Sequence, residues 1–581
     1  MVWWERWPDR FEQEVECLSA HELEPEDIST PEEKANGYRS IEIKYPHEDD
    51  QRLPITLRFP PEYPFFMAVA FLDPEVMLLT RHQNPTNGEL CLLNAGQSWK
   101  PEDFIGDVIA EMLPQILKIH SNPHGDYAKE QEVEQGEPIT GYFSKDNKSL
   151  LLVENIVVPE HYSEGTFEAK ILASGGSGSR YVLMAVTNNQ DRQSISVSAK
   201  LRNSLQELPT KHGKWKRLHL GVENIPRHSQ DFSELAKQIH NPTWQSFQHR
   251  PKPGNELLLA LIREEVRQDR YQDSWLGVQL SAGTIRTRGK GKHRNKSPTK
   301  RGQIIFGAPY DSETRWARSP ELAELENKHV CLVGAGMLGS PIALQLARAG
   351  VGKLSIVDHD YVELATIIRY GLGAQYAGWP KVAALHEHIQ QNYFFTYVEA
   401  IPYRVGTPFL TETDVAGKFR AAVESADLVI DAAAEKNVSY YLNDLLSNSD
   451  HPWMVVTTRP GTWGGETWIM RPRGPCWACL EAHNRDKSLP MPNGDADREL
   501  QIGGCTQLTT TGYGCDSDLY ALNAVRSAIG LMTPGVHGYP EPDWNALIMN
   551  LRGTSGGYIS PEFTPYDMPH HPECDCYQTG V

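Results

Sequence analysis

The stretch His329-Val330-Cys331-Leu332-Val333-Gly334-Ala335-Gly336-Met337-Leu338-Gly339 decides how the rest of the chain is read. Its first five residues form a short apolar run, read as a buried strand. Gly334, Gly336 and Gly339 follow as G-x-G-x-x-G. Ser340-Pro341-Ile342-Ala343-Leu344 then reads as a helix with Pro in its first turn, where the missing N–H is harmless. The glycines permit a tight turn and close backbone approach, and the helix N-terminus attracts phosphate. A second strand, Lys353–Val357, ends in Asp358, about 20 residues on, where a carboxylate can bind ribose hydroxyls. To this point NAD(P) and ATP fit equally well. Asp358-His359-Asp360 then leads to Arg369 and to Gly378-Trp379-Pro380-Lys381. A cationic pair behind the ribose carboxylate suits a triphosphate, whose charge is neutralised as pyrophosphate leaves. An NAD-binding oxidoreductase, the rival enzyme class, accounts for the glycines and Asp358 but has no use for Arg369 and Lys381.

Composition frames this reading. The chain has 581 residues, room for about four domains. It is 40% hydrophobic and 23% charged, values of a folded protein. A net charge of −19 argues against nucleic acid as the main partner, because phosphate binding needs a basic face. No apolar run approaches the length of a membrane span, and the N-terminus lacks a signal-peptide layout. A cytoplasmic location and no membrane partner are expected. In a reducing compartment the nine cysteines serve as thiols, metal ligands or nucleophiles. Three regions differ in texture: 1–140, 141–315 and 316–581. The last alternates strand-like and helical runs, expected as a parallel α/β sheet. The middle region carries few motifs. Its basic stretch, Arg286 to Arg301, holds eight Lys/Arg and no acid, and reads as a solvated loop or a docking site for an acidic partner.

The cysteines sort by neighbourhood. Cys476-Trp477-Ala478-Cys479 and Cys574-Asp575-Cys576 are two pairs that can close a tetrahedron around structural Zn²⁺. Cys505 sits in Gly503-Gly504-Cys505-Thr506-Gln507-Leu508-Thr509, ahead of a helix expected over Asp518–Leu531; a helix start favours thiolate. Cys515 is the runner-up nucleophile. Cys331 lies on the first strand and reads as core, and Cys17 has no chemical role.

The nucleotide motifs resemble the adenylation domain of ubiquitin-activating (E1-type) enzymes and of their bacterial ThiF-like relatives, over about 250 residues. That resemblance implies ATP and Mg²⁺ as cofactors. It implies that Gly334, Gly336 and Gly339 cradle the nucleotide, that Asp358 and Asp360 follow the second strand and that Asp358 binds the ribose. Arg369 contacts and Lys381 holds the phosphates. Two departures stand out: the family's Asn falls on Thr366, and its metal-associated Asp falls on Ala434 in Asp431-Ala432-Ala433-Ala434-Glu435. Glu435 or Asp431 can supply the carboxylate; an inactive scaffold is the non-enzymatic alternative. Arg315 and Arg318 precede the domain, where the family places an Arg that reaches the second subunit's ATP site, so a homodimer is expected; a solvated surface Arg is the bland alternative. Cys505, in Cys-Thr-x-x-Thr, resembles the thioester cysteine of the autophagy-type activating enzyme.

Residues 1–140 carry Phe59-Pro60-Pro61-Glu62-Tyr63-Pro64 after a strand-like run, Leu53–Arg58. His82-Gln83-Asn84, Gly88-Glu89-Leu90-Cys91-Leu92 and Trp99-Lys100-Pro101 follow, then a helix-like Phe104–Ile119 and Asn122-Pro123. In order and spacing these resemble ubiquitin-conjugating (E2-type, UBC) enzymes. The resemblance makes Cys91 the conjugating nucleophile and Asn84 the oxyanion-supporting amide, with Asn87 as the alternative. The whole expectation is a multidomain α+β and α/β chain. An E2-like fold spans 1–140, a linker or degenerate adenylation-like domain 141–315, and a Rossmann-like E1/ThiF domain 316–581. This layout resembles the E2–E1 fusion proteins of bacterial CBASS anti-phage operons. There the activated partner is a cGAS-like nucleotidyltransferase joined to a target amine; related operons use a separate ubiquitin-like protein.

Overall fold

The computed structural model describes the chain except residues 1, 48–50, 93–98, 124, 132–137, 143–148, 155, 176–177, 221–234, 241–253, 268–269, 287–295, 408–412, 496–498, 502–507, 536–537 and 579–581. Two compact units result. Met1–Val197 and Leu208–Tyr310 form the first; Ser198–Glu207 and Asp311–Val581 form the second.

The first unit begins with helices Trp3–Arg6 and Pro8–Ala20. An antiparallel meander follows: β1 (Glu26–Asp27), β2 (Arg39–Pro46), β3 (Arg52–Phe59) and β4 (Val69–Leu72), in that order across the sheet. Helix Ile105–Ser121 buries Ile105, Ile109, Leu113 and Ile116 against Ile41, Ile43, Ile55 and Leu57 of β2 and β3. The spacing of those helix residues puts them on one face, while the strand residues recur every second position. Tyr63 is fully buried, and its hydroxyl meets Arg10 and Glu14, so a buried ion pair locks the first long helix under the Pro-rich turn.

The rest of the first unit is a β-barrel. Its strands are β5 (Leu150–Val153), β6 (Glu164–Gly175), β7 (Gly178–Asn188), β8 (Ser194–Ser196), β9 (Thr210–Leu218), β10 (Gly254–Arg267), β11 (Arg270–Arg286) and β12 (Lys296–Pro309). The pairing runs β5-β12-β11-β10-β9-β6-β7 and closes where β7 returns to β5; β8 pairs on the outside of β7. Closure runs through the four residues of β5, which pair with Phe306–Pro309 of β12 on one side and Arg180–Leu183 of β7 on the other. This corrects the expectation of a linker or degenerate adenylation-like domain: neighbouring long strands run mainly antiparallel, without the strand–helix–strand repeat such a domain needs. The basic stretch contributes to both arms of the β11–β12 hairpin, with Arg286 opposite Lys296. Consecutive acids of β10 reach into the preceding part of the unit. Glu264 accepts from Thr140 N and Oγ1 at 2.7 and 2.8 Å, and Glu265 accepts from Arg81 Nη2 at 2.8 and 3.0 Å. A bulge at Glu265/Arg267 accompanies this pair.

The second unit is a doubly covered sheet, Rossmann-like in its parallel half. β13 (His329–Val333), β14 (Lys353–Val357), β15 (Tyr397–Ile401), β16 (Leu428–Asp431) and β17 (Trp453–Thr458) are parallel, in the order β15-β14-β13-β16-β17. β18 (Gly464–Met470) then pairs antiparallel. β19 (Glu499–Gln501) and β20 (Leu508–Thr510) form a separate ribbon, and β21 (Ala546–Arg552) and β22 (Tyr558–Tyr566) complete the main sheet beyond β18. Val330 and Leu332 join one apolar cluster, Cys331 and Val333 the other. Both faces of β13 are therefore buried, which is why the run is apolar throughout rather than alternating. Cys331 is core as expected: burial pushes its thiol up to about 12.

Candidate active site

The cleft opens at the carboxyl ends of β13, β14, β15 and β16, where the strand order reverses between β13 and β16. That is the position where open parallel sheets bind ligands. The three glycines do different work. Gly334 has φ +92°, and a Cβ there would sit 2.6 Å from Ala433 N; one on Gly339 would sit 1.9 Å from Gly334 O. These two let the chain turn from β13 into helix Gly339–Arg348. A Cβ on Gly336 would meet nothing within 4 Å, so this residue leaves the cleft open to an incoming group. Asp358 ties the loop to the end of β14: Oδ2 accepts from Ala335 N at 2.7 Å and Oδ1 from Asp360 N at 2.8 Å.

Asp360 and Lys381 meet at 2.9 Å inside the same cleft, and the Lys381 N–H also donates to Asp360 O. Burial pushes the Asp360 carboxyl up, but Lys381, His359 and Arg404 outweigh it and hold it below the usual carboxylate range. Lys381 begins helix Lys381–Asn392. A phosphate arriving here finds an ammonium already fixed by a carboxylate, which lowers the entropy lost on binding. Arg404 and Glu435 also line the cleft. Arg404 was not among the candidate residues. It follows β15, so the rule that ligands gather beyond strand carboxyl ends was the signal that could have found it.

Other expected residues fall outside the cleft lining. Arg369 ends the turn Leu364–Arg369 and packs by its backbone near Gly514. Arg315 pairs with Glu326 at 3.1 Å, and Arg318 is exposed. Asp431 is 1% exposed; Ser439 Oγ donates to its Oδ2 at 2.6 Å and Ala433 N to its Oδ1 at 3.0 Å. It is thus occupied inside the fold and does not line the cleft. Burial pushes its carboxyl up to about 6 despite those donors. The folded state then holds a proton that the unfolded chain, with its ordinary value of 3.8, has released. Stability of the second unit therefore falls as pH rises from about 4 to about 6. Asp431→Asn should flatten this part of the profile, read as thermal midpoints across that range.

The four expected metal ligands come together. Cys476, Cys479, Cys574 and Cys576 place all their Sγ atoms within 4.8 Å of one another. Individual Sγ–Sγ separations are 3.9 Å (Cys476–Cys479), 3.5 Å (Cys476–Cys574) and 3.2 Å (Cys479–Cys576). A tetrahedral zinc with bonds of about 2.3 Å separates its sulfurs by about 3.8 Å, so the donor set fits that ion. The same two segments are fastened beside it: His483 Nε2 lies 2.9 Å from Pro569 O, and His571 Nε2 lies 3.0 Å from Asp486 Oδ2.

Residues 310–550 match the model of the ThiF family. They form a ThiF/E1-like adenylation domain. Adenylyltransferase and sulfurtransferase MOCS3 of Sus scrofa is 28% identical over 232 residues, covering 38% of this chain and 46% of that protein. The protein y4oA of Sinorhizobium fredii (strain NBRC 101917 / NGR234) is 26% identical over 616 residues, 99% of this chain and 97% of its own length. Among solved structures, E. coli MccB with ATP covers 44% of this chain and 68% of its own at 14% identity, with a TM-score of 0.33.

The thiols expected to carry acyl groups are placed unequally. Cys505 lies outside the described residues; β19 and β20 of the adenylation domain flank its segment. Helix Gly514–Met532 begins earlier than expected and puts the exposed Cys515 in its first turn. In the first unit, Cys91 is exposed and its N–H donates to His82 O at 2.8 Å, while Asn84 N donates to Glu89 O at 2.8 Å. These bonds flank a single antiparallel bridge between Gln83 and Leu90, so Asn84 and Cys91 each adjoin one bridged residue. Asn84 Oδ1 accepts from Thr86 N and Oγ1 at 2.9 and 2.7 Å, an Asx turn in the connection between them. Asn87 instead accepts from Glu89 N at 3.0 Å. No helix among the described residues is long and apolar enough to cross a membrane.

Proposed function

We propose that this chain uses ATP to activate the C-terminus of a partner protein and passes the acyl group between two of its own thiols to an amine. The observation that carries the reading is the cleft, in which the Lys381–Asp360 pair and Arg404 face the open backbone at Gly336. The name of the MOCS3 relative, an adenylyltransferase, supports the first step, and the y4oA match supports one architecture over the whole length.

The partner's carboxylate attacks the α-phosphorus of ATP; the new P–O bond gives an acyl-adenylate and pyrophosphate leaves. The Cys505 thiolate attacks the acyl carbon and AMP leaves, forming a thioester. The Cys91 thiolate then attacks that thioester and Cys505 leaves as thiolate. Last, a deprotonated amine attacks the Cys91 thioester, an amide forms, and Cys91 is released. Thioesters of similar energy are exchanged in the middle step, so one ATP suffices. Asn84 supplies the amide that steadies the final oxyanion. Cys476, Cys479, Cys574 and Cys576 hold a structural Zn²⁺. The activated partner is a cGAS-like nucleotidyltransferase of a CBASS anti-phage operon, or alternatively a bacterial ubiquitin-like protein. A homodimer brings Arg318 of one copy towards the other copy's nucleotide.

Non-reducing gels with a nucleotidyltransferase or ubiquitin-like protein encoded beside this gene test the order of transfer. Cys505→Ala should keep ATP–pyrophosphate exchange and lose every thioester. Cys91→Ala should keep one reducible adduct, on Cys505. Loss of all adducts in the Cys91 variant would overturn the order.

A further inference from the structure

We propose that Glu435 is the carboxylate that holds the divalent cation of ATP in this cleft, in place of the acidic residue missing at Ala434. The inference rests on the nucleotide reading of the cleft. Three carboxylates line it: Asp358, Asp360 and Glu435. The first two are already committed. Both Asp358 oxygens accept backbone N–H groups, and Asp360 is paired with Lys381 at 2.9 Å. Glu435 is exposed at the cleft; its backbone carbonyl accepts from Val438 N at 2.9 Å, but its carboxylate has no hydrogen-bond or ion-pair partner among the described residues. Asp431, the other carboxylate nearby, is turned into the fold towards Ser439 and Ala433 N.

An uncompensated carboxylate beside a triphosphate repels it. A divalent cation between the two reverses the sign of that interaction. Mg²⁺ suits the arrangement, because it is a hard ion that binds through one or two carboxylates plus phosphate oxygens and keeps several waters. Ala434 itself sits at φ 59°, a left-handed conformation that turns the chain so that the next residue, Glu435, precedes helix Lys436–Leu445 and borders the cleft.

Calorimetric titration of the full-length protein with ATP, in EDTA and in Mg²⁺, tests this. The wild type should bind ATP about tenfold or more tightly with Mg²⁺ than without. Glu435→Gln removes the repulsion and the ligand together. It should bind ATP in EDTA at least as tightly as the wild type, and gain less than about threefold from Mg²⁺. Glu435→Asp, which keeps the charge, should retain part of the gain. An undiminished Mg²⁺ gain in Glu435→Gln would overturn the role of Glu435 and leave the nucleotide reading standing. No ATP binding by the wild type in either buffer would overturn both.

Discussion

Lys381→Ala should lower ATP–pyrophosphate exchange by about a hundredfold or more, the scale of losing a fixed cation aimed at developing phosphate charge. The side chain reaches the cleft from the start of a helix and, among the described residues, ion-pairs with Asp360 alone. Its removal takes away one positive charge and frees a negative one, so the site becomes repulsive to a triphosphate. The fold should survive, since the first residue of the helix contributes little to the core beside it. Thermal unfolding within about 2 °C of the wild type separates lost chemistry from lost structure. Lys381→Arg keeps the charge and should recover part of the exchange. An alanine variant with wild-type exchange would mean that the cleft does not bind the phosphates.

Removing zinc should have the larger effect on stability. Four sulfurs drawn within 4.8 Å of one another join helix Trp477–Arg485 to the C-terminal segment. Without a cation, four adjacent thiols fasten nothing. Structural zinc couples about 10 kcal/mol or more of binding free energy to folding. A chelator strong enough to strip the ion, or Cys476→Ser, should lower the midpoint of the second unit by about 10 °C or more. Metal analysis should find one zinc per chain in the wild type and less than about half of that in Cys476→Ser. A wild type that contains no zinc and melts unchanged with chelator would contradict the assignment. The neighbouring hydrogen bonds of His483 and His571 would then be the main fastening of the same segments.

What was legible in the sequence follows from how local its causes are. The strand His329–Val333 and the glycine loop were legible because burial on both faces demands an unbroken apolar run and because Gly334 needs a positive φ. The strand Lys353–Val357 came out with its expected ends, and Asp358 and Lys381 line the cleft as read. The clustering of Cys476, Cys479, Cys574 and Cys576 was legible as spacing, although about a hundred residues separate the pairs, because two close pairs of thiols are a recognisable metal-ligand pattern. The barrel was not legible. Leu257 to Ile262 in β10 is buried at every position, so it shows no alternation, and its partner β9 arrives by a non-local parallel pairing that no local pattern encodes. The tie between Arg81 and Glu265 spans 184 residues and was invisible for the same reason. Asp431 was readable as a carboxylate but not as a buried one: Ser439, which occupies it, stands a helical turn and more further on. Arg404 carries no motif and is marked only by lying beyond a strand end.

The central claim is that the cleft at Gly336, Asp358 and Lys381 is built for a nucleoside triphosphate and not for a dinucleotide. Calorimetric titration of the full-length wild type with ATP and Mg²⁺, and separately with NAD and NADP, tests this most directly. Saturable binding of ATP is expected, weakened about tenfold or more by Lys381→Ala, with no saturable binding of NAD or NADP. Binding of NAD or NADP without binding of ATP would contradict it.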